Sequence, residues 1–153
     1  SDANAAIFWL AKMIAAGEDP RFIARRLVIT ASEDVGNADP MALLLAMAAA
    51  ESVERLGLPE ARIPLAQAVI YVAQAPKSNQ AICAIDAALA DITRHGKSLP
   101  VPQHLRDSHY SDAKTRYGHG VGYHYSHNAT PEQNAQQRFL PDELPDVVYV
   151  NPI

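Results

Sequence analysis

At 153 residues the chain is long enough to bury one core, removing about 70% of the surface its unfolded form exposes, so neither disulfides nor a structural metal are needed to hold it. Thirteen basic against seventeen acidic residues argue against a domain whose main work is gripping a phosphate backbone, and leave room for a local basic patch. The single Cys83 excludes an internal disulfide, and the longest apolar run, Met41 to Ala50, is closed by Glu51, short of the roughly 20 apolar residues that span a bilayer.

From residue 4 to about 94, apolar residues recur at three- and four-residue steps without strand-like alternation, which predicts five helices. The first, Asn4 to Ala16, carries Ile7, Leu10, Met13 and Ile14 on one face, with Phe8 and Trp9 broadening it, and Gly17 stops it. Asp19-Pro20 and Asp39-Pro40 each place a capping side chain before a proline suited to a first helical turn, marking the next two starts. The second helix presents Phe22, Ile23, Leu27 and Thr30. The third, Pro40 to Leu56, is apolar all round in its first ten residues and alanine-rich, which predicts the central helix, stopped by Gly57. The fourth, Ile63 to Ala75, turns Leu65, Val69, Ile70 and Val72 inward. The fifth follows Pro76 with Ser78 or Asn79 as cap and aligns Ile82, Ile85, Leu89 and Ile92; Cys83, inside the apolar run Ala81 to Leu89, reads as a small buried side chain.

At residue 95 the composition changes: residues 95 to 153 hold six of eleven prolines, four of seven glycines, five of six tyrosines and all six histidines. Regular structure is sparse there, yet the aromatics argue against a disordered linker and for a long segment packed on the bundle or on a neighbouring subunit. Short helices are expected at Pro102 to Asp107 and Pro131 to Arg138. The fold class is all-α, with residues 1–94 a helical oligomerisation domain and 95–153 an extended segment of the same domain.

Candidate chemistry is thin. No G-x-x-x-x-G-K-[ST] run is present, and the glycines between Tyr117 and Tyr123 lack a following helix to meet an anion. His104, His109, His119, His124 and His127 with Asp107 and Asp112 include metal-ligating types, but their spacing matches no common zinc motif, so a metal-dependent hydrolase ranks last. The run Asp107-Ser108-His109 does not converge side chains as a triad must, and Glu33, Asp34 and Asp39 sit at helix ends as capping groups do. No catalytic, cofactor or metal residue is assigned. The one basic cluster, Arg21, Arg25 and Arg26, is flanked by Glu18, Asp19, Glu33 and Asp34. It is read either as a solvated helix face or as a contact for DNA or a partner protein. A broad alanine- and leucine-rich face is most readily hidden from water by self-association, which makes assembly the natural function class.

Longer runs carry a resemblance: Gly17-Glu18-Asp19-Pro20-Arg21-Phe22-Ile23-Ala24-Arg25-Arg26, Ala31-Ser32-Glu33-Asp34-Val35-Gly36, Ala38-Asp39-Pro40, Leu65-Ala66-Gln67-Ala68, and Ala75-Pro76-Lys77-Ser78-Asn79. Others follow at Pro100 to Asp107, Gly118-His119-Gly120 with Gly122-Tyr123, Gln136-Gln137 and Leu140-Pro141-Asp142-Glu143-Leu144. Together they resemble the C-terminal region of the replication-associated recombination protein A family, also called MgsA, whose eukaryotic relative is the Werner-helicase-interacting ATPase. The resemblance implies a clamp-loader-like AAA+ ATPase, cytoplasmic and nucleoid-associated, that forms a homotetramer through this region. It further implies action on DNA, with single-stranded-DNA-binding protein as a partner, at stalled forks. ATP and magnesium would belong to nucleotide-binding and lid domains preceding Ser1, leaving no cofactor in this segment, no enzyme activity of its own and no membrane association. Within that frame the burial pattern selects Met41, Leu44, Leu45, Met47 and Ala48, the corner Pro76, Lys77, Ser78 and Asn79, and the aromatic tail for subunit contacts. Arg21, Arg25 and Arg26 are then candidates for DNA or for the ATPase domain, with pairing of Arg25 or Arg26 to Glu33 or Asp34 as the structural alternative.

Overall fold

The structure is a computed structural model that describes residues 1–94, 99–144 and 147–151. All regular elements among the described residues are helical, in two compact units, Ser1–Asp86 and Ala87–Ile153. The division expected after residue 94 adjoins residues 95–98, which lie outside the described residues.

The first unit starts with α1 (Ala3–Ala15), capped by the Asp2 carboxylate, which accepts from the amides of Asn4 and Ala5. In α2 (Pro20–Thr30) the Asp19 carboxylate accepts from the Arg21 amide and Pro20 occupies the first turn, as its dipeptide predicts. The chain then widens into a π-helical turn, Ala31–Val35, whose end is marked by the Gly36 amide donating to the Ala31 carbonyl. Ala31 and Val35 are both fully buried, so the turn belongs to the core. Gly36 has φ 51° there, and a Cβ on it would approach the Ser78 carbonyl to 3.3 Å, so this position suits glycine alone.

Helix α3 (Met41–Leu56) follows, with Gly57 at φ 68° ending it as expected. It packs on α2, on the π-turn and on α4 (Arg62–Gln74); α4 packs also on α1 and α2. The centre is therefore the α3/α4 pair rather than α3 alone. The inward residues of α3 are Ala42, Ala46, Ala49 and Val53; those of α4 are Leu65, Ala68, Val72 and Ala73, and Leu65 is completely enclosed. Small side chains at steps of three and four let backbones approach closely, which multiplies dispersion contacts per unit length. Asp39 ties the pair together. Its Oδ1 accepts from the Met41 amide at 3.2 Å, while its Oδ2 accepts from the Tyr71 hydroxyl on α4 at 2.8 Å.

Helix α5 (Gln80–Arg94) forms where predicted, with the Ser78 hydroxyl accepting from the Gln80 amide, but it holds no buried residue. Ile85, Leu89 and Ile92 are exposed, and so is Cys83, which overturns its reading as a buried side chain. An apolar run does not by itself say which face is covered. Ile70 likewise points outward, because the buried set Leu65, Ala68 and Val72 defines the opposite side of α4. Phe8, Trp9 and Phe22 are exposed for the same reason: neighbours on a helix turn about 100° apart, and Leu10 and Ile23 take the inner positions.

The second unit holds α6 (Ala113–Tyr117), which the sequence reading did not anticipate, and α7 (Pro131–Gln136), which it did. The helix expected at Pro102 to Asp107 is a single 3-10 turn, Gln103–Leu105. Thr130 and Gln133 form a reciprocal capping box on α7. Gln103 bonds the Tyr117 carbonyl and accepts from the Gly120 amide, holding the glycine-bearing turn, and the Tyr149 hydroxyl donates to Asp91 on α5.

Leu65→Ala is expected to destabilise the chain by about 2–5 kcal/mol, read as a drop in the urea midpoint, because it opens a cavity in the most enclosed position. Tyr71 carries a pH signature. Its hydrogen bond to Asp39, then partial burial, then the carboxylate's charge, hold its pKa above the ordinary value near 10. A raised folded-state pKa means that the contribution is complete below about pH 10 and is lost as pH climbs through the raised value. The urea midpoint of wild type should fall above pH 10, and Tyr71→Phe should flatten that part of the profile.

Candidate assembly surface

On α3 the helical period separates two apolar faces. Opposite the buried Ala42, Ala46, Ala49 and Val53 lie Met41, Leu44, Met47 and Ala48, all exposed, Leu44 at 62%. Leu45 is half-buried at the edge of the core. A helix apolar around its circumference is ordinarily covered around its circumference; here the inner half alone is covered. Beyond this stripe α3 turns polar, with Glu51 paired to Arg55 within the helix.

The basic cluster divides. Arg21 and Arg25, four residues apart, share a face of α2 and line a depression of about 210 Å³ with Ala24, Met47, Ala50, Glu51 and Glu54; Arg26 is not among its residues. Arg21 Nε forms an ion pair with Glu54 at 3.0 Å. Neither Arg25 nor Arg26 forms an ion pair with Glu33 or Asp34 among the described residues, so the structural alternative of an internal pairing is not the arrangement found. The patch is thus of mixed sign, with arginines on its α2 side and glutamates on its α3 side.

Contacts within the chain engage part of the Pro76–Asn79 corner. The Lys77 ammonium donates to the Val72 carbonyl at 2.8 Å and to that of Ala75, closing the end of α4, and the Ser78 amide donates to the Asp34 carbonyl at 2.8 Å. Pro76, Lys77 and Asn79 are exposed and Ser78 is half-buried. Lys77, Ser78 and Asn79 help line a groove of about 650 Å³ floored by Leu27, Val69 and Val72. The sequence reading assigned no surface role to α1, where Phe8 and Trp9 meet edge to face at 5.5 Å with the Lys12 ammonium 4.8 Å over the indole. Their adjacency was the available signal, since two neighbouring bulky residues cannot both share Leu10's inner face.

In the second unit the rings of His104, His109, His119 and His127, four of the five candidate ligands, each meet another group of the chain. His104 Nε2 lies 2.7 Å from the Arg138 carbonyl, His119 Nδ1 2.7 Å from the Tyr110 hydroxyl, and the His127 ring lies tilted against Tyr125 with centroids 5.1 Å apart. His124 is held through its backbone by Gln137. His109 bonds Asp107 through amide and ring, and the amide bond is the larger cause of that carboxyl's lowered pKa. Ser108 instead lies against Gly120, where a Cβ would strike its hydroxyl at 2.6 Å. Among the described residues no three His, Cys, Asp or Glu side chains gather as a metal site would require. Tyr117, Tyr123, Tyr125 and Phe139, the aromatic tail expected at subunit contacts, are exposed.

Comparison with known proteins places these surfaces in a family context. A family described as MgsA AAA+ ATPase C terminal matches residues 1–153. An uncharacterized AAA domain-containing protein of Mycobacterium tuberculosis is 53% identical over 99% of this chain and 33% of its own length. Replication-associated recombination protein A of Bacillus subtilis is 51% identical over 99% of this chain and 35% of its own length. For the Escherichia coli protein of that name the figures are 41%, 99% and 34%. The chain spans about a third of the length of the curated relatives it matches.

Proposed function

The chain belongs to the MgsA AAA+ ATPase C-terminal family, and on that premise we propose that it is the part that joins copies of a clamp-loader-like ATPase into a homotetramer acting in DNA replication, recombination and repair at stalled forks. One observation supports this above the others: the outward half of α3, Met41, Leu44, Met47 and Ala48, is as apolar as its buried half and lies uncovered. Exposing a contiguous apolar stripe to water is unfavourable by about 25 cal/mol per Å², and a second copy of the chain removes it without new sequence. Closed homo-oligomers are the usual outcome when one surface can meet itself.

Nucleotide hydrolysis belongs to the remaining two thirds of the full-length protein, where ATP and magnesium are held. DNA and single-stranded-DNA-binding protein meet the full-length assembly, in the cytoplasm at the nucleoid. The present segment sets how the ATPase modules are spaced. No helix among the described residues is long and apolar enough to cross a membrane.

Light scattering of the 153-residue chain at tens of micromolar is expected to return four times its 16.6 kDa mass. Leu44→Asp and Met47→Asp should shift the mass to smaller species while the far-ultraviolet helical signal is retained, since both side chains lie outside the core. A single-chain mass for wild type would overturn the proposal.

A further inference from the structure

The mixed-sign depression beside the α3 stripe carries a more specific assignment, one that rests on the assembly reading above. We infer that Arg25 is a subunit-contact residue that pairs across a two-fold axis with Glu51 of a second copy of this chain, setting the register in which the apolar stripes meet. The depression has arginines on one bank and glutamates on the other. Arg21 and Arg25 come from α2, Glu51 and Glu54 from α3, and Met47 lies with them in the lining. A contact related by a two-fold axis brings a patch against its own rotated image, so a patch that meets itself must carry both signs on opposite sides of the axis. This one does, and the exposed Met47 and Leu44 supply the apolar centre that such a contact needs.

The same charges argue against nucleic acid as the occupant. Arg21 is already engaged by Glu54 at 3.0 Å, and a phosphate approaching Arg25 meets the field of two carboxylates lining the same depression. Arg25, by contrast, has no ion-pair partner among the described residues, and its guanidinium offers a fork of donors suited to a carboxylate. Glu51 meets Arg55 through Oε1, and a carboxylate retains further lone pairs for a second guanidinium.

A charge swap tests the pairing. In the 153-residue chain, Arg25→Glu and Glu51→Arg should each weaken self-association by roughly tenfold or more, and the double variant should restore it to near wild type. Sedimentation across a dilution series reads the association constants, and circular dichroism checks that each variant is folded. Wild-type association should also weaken as salt is raised from about 0.05 to 0.5 M. If wild type assembles but the single variants associate as wild type does, or the double variant fails to recover, the pairing is overturned while assembly itself stands. If wild type is monomeric, the assembly reading falls first and takes the pairing with it. If Arg25→Glu abolishes binding of a fluorescent single-stranded oligonucleotide while the association constant is unchanged, the arginine serves nucleic acid and the inference is wrong.

Discussion

Close approach of helix backbones is the constraint from which the first unit follows. The inward residues of α3 and α4 are mostly alanine, joined by Ala24 and Ala31 from α2 and the π-turn and by Ala61 at the head of α4. Each buries little area alone, and small side chains at such positions stabilise chiefly by letting facing helices approach and gain dispersion contacts. Leu65 and Val35, the largest fully enclosed side chains, fill what the alanines leave. Packing of this kind tolerates little at the interface between helices, since any larger residue there would push backbones apart.

The corollary is what happens to the large apolar residues. With the inner positions filled by alanine, methionine and leucine on α3 and the aromatics of α1 remain on the outside. A protein that used its bulky residues for the core would present a polar back to solvent; this one presents Met41, Leu44 and Met47. The fold and the assembly surface are therefore two results of one distribution of side-chain volume along α3. The arginines and glutamates at its border add direction to an otherwise slippery face, because apolar contact alone is indifferent to small rotations and charge pairs are not.

Much of this was legible in the residues, for identifiable reasons. Asp19-Pro20, Asp39-Pro40 and Gly57 act locally, through one side chain, one ring or one backbone torsion, and their helix ends came out where expected. The π-turn did not announce itself, since it depends on Val35 reaching a core made by distant residues and on Ser78 bonding back to Asp34. Exposure was the weak point throughout: Phe8, Trp9, Ile70 and Cys83 lie in apolar surroundings in sequence and in solvent in space, and Phe22 is exposed beside the buried Ile23. Periodicity reports how many residues share a face, while which face is covered depends on the neighbours. The family was carried by long specific runs, but those runs do not say which of the arginines share a surface; the i, i+4 relation of Arg21 and Arg25 does.

The double duty of Asp39 reaches further than local stability. One oxygen holds the first amide of α3 and the other holds a hydroxyl projecting from the last turn of α4, so the carboxylate works like a key in a shaft and fixes the azimuth of α3 at its N-terminal end. Met41 and Leu44 follow within one turn of that key. Their heading is settled during folding of the single chain, and copies meet with that rotational freedom already surrendered, so less entropy remains to be lost when they dock.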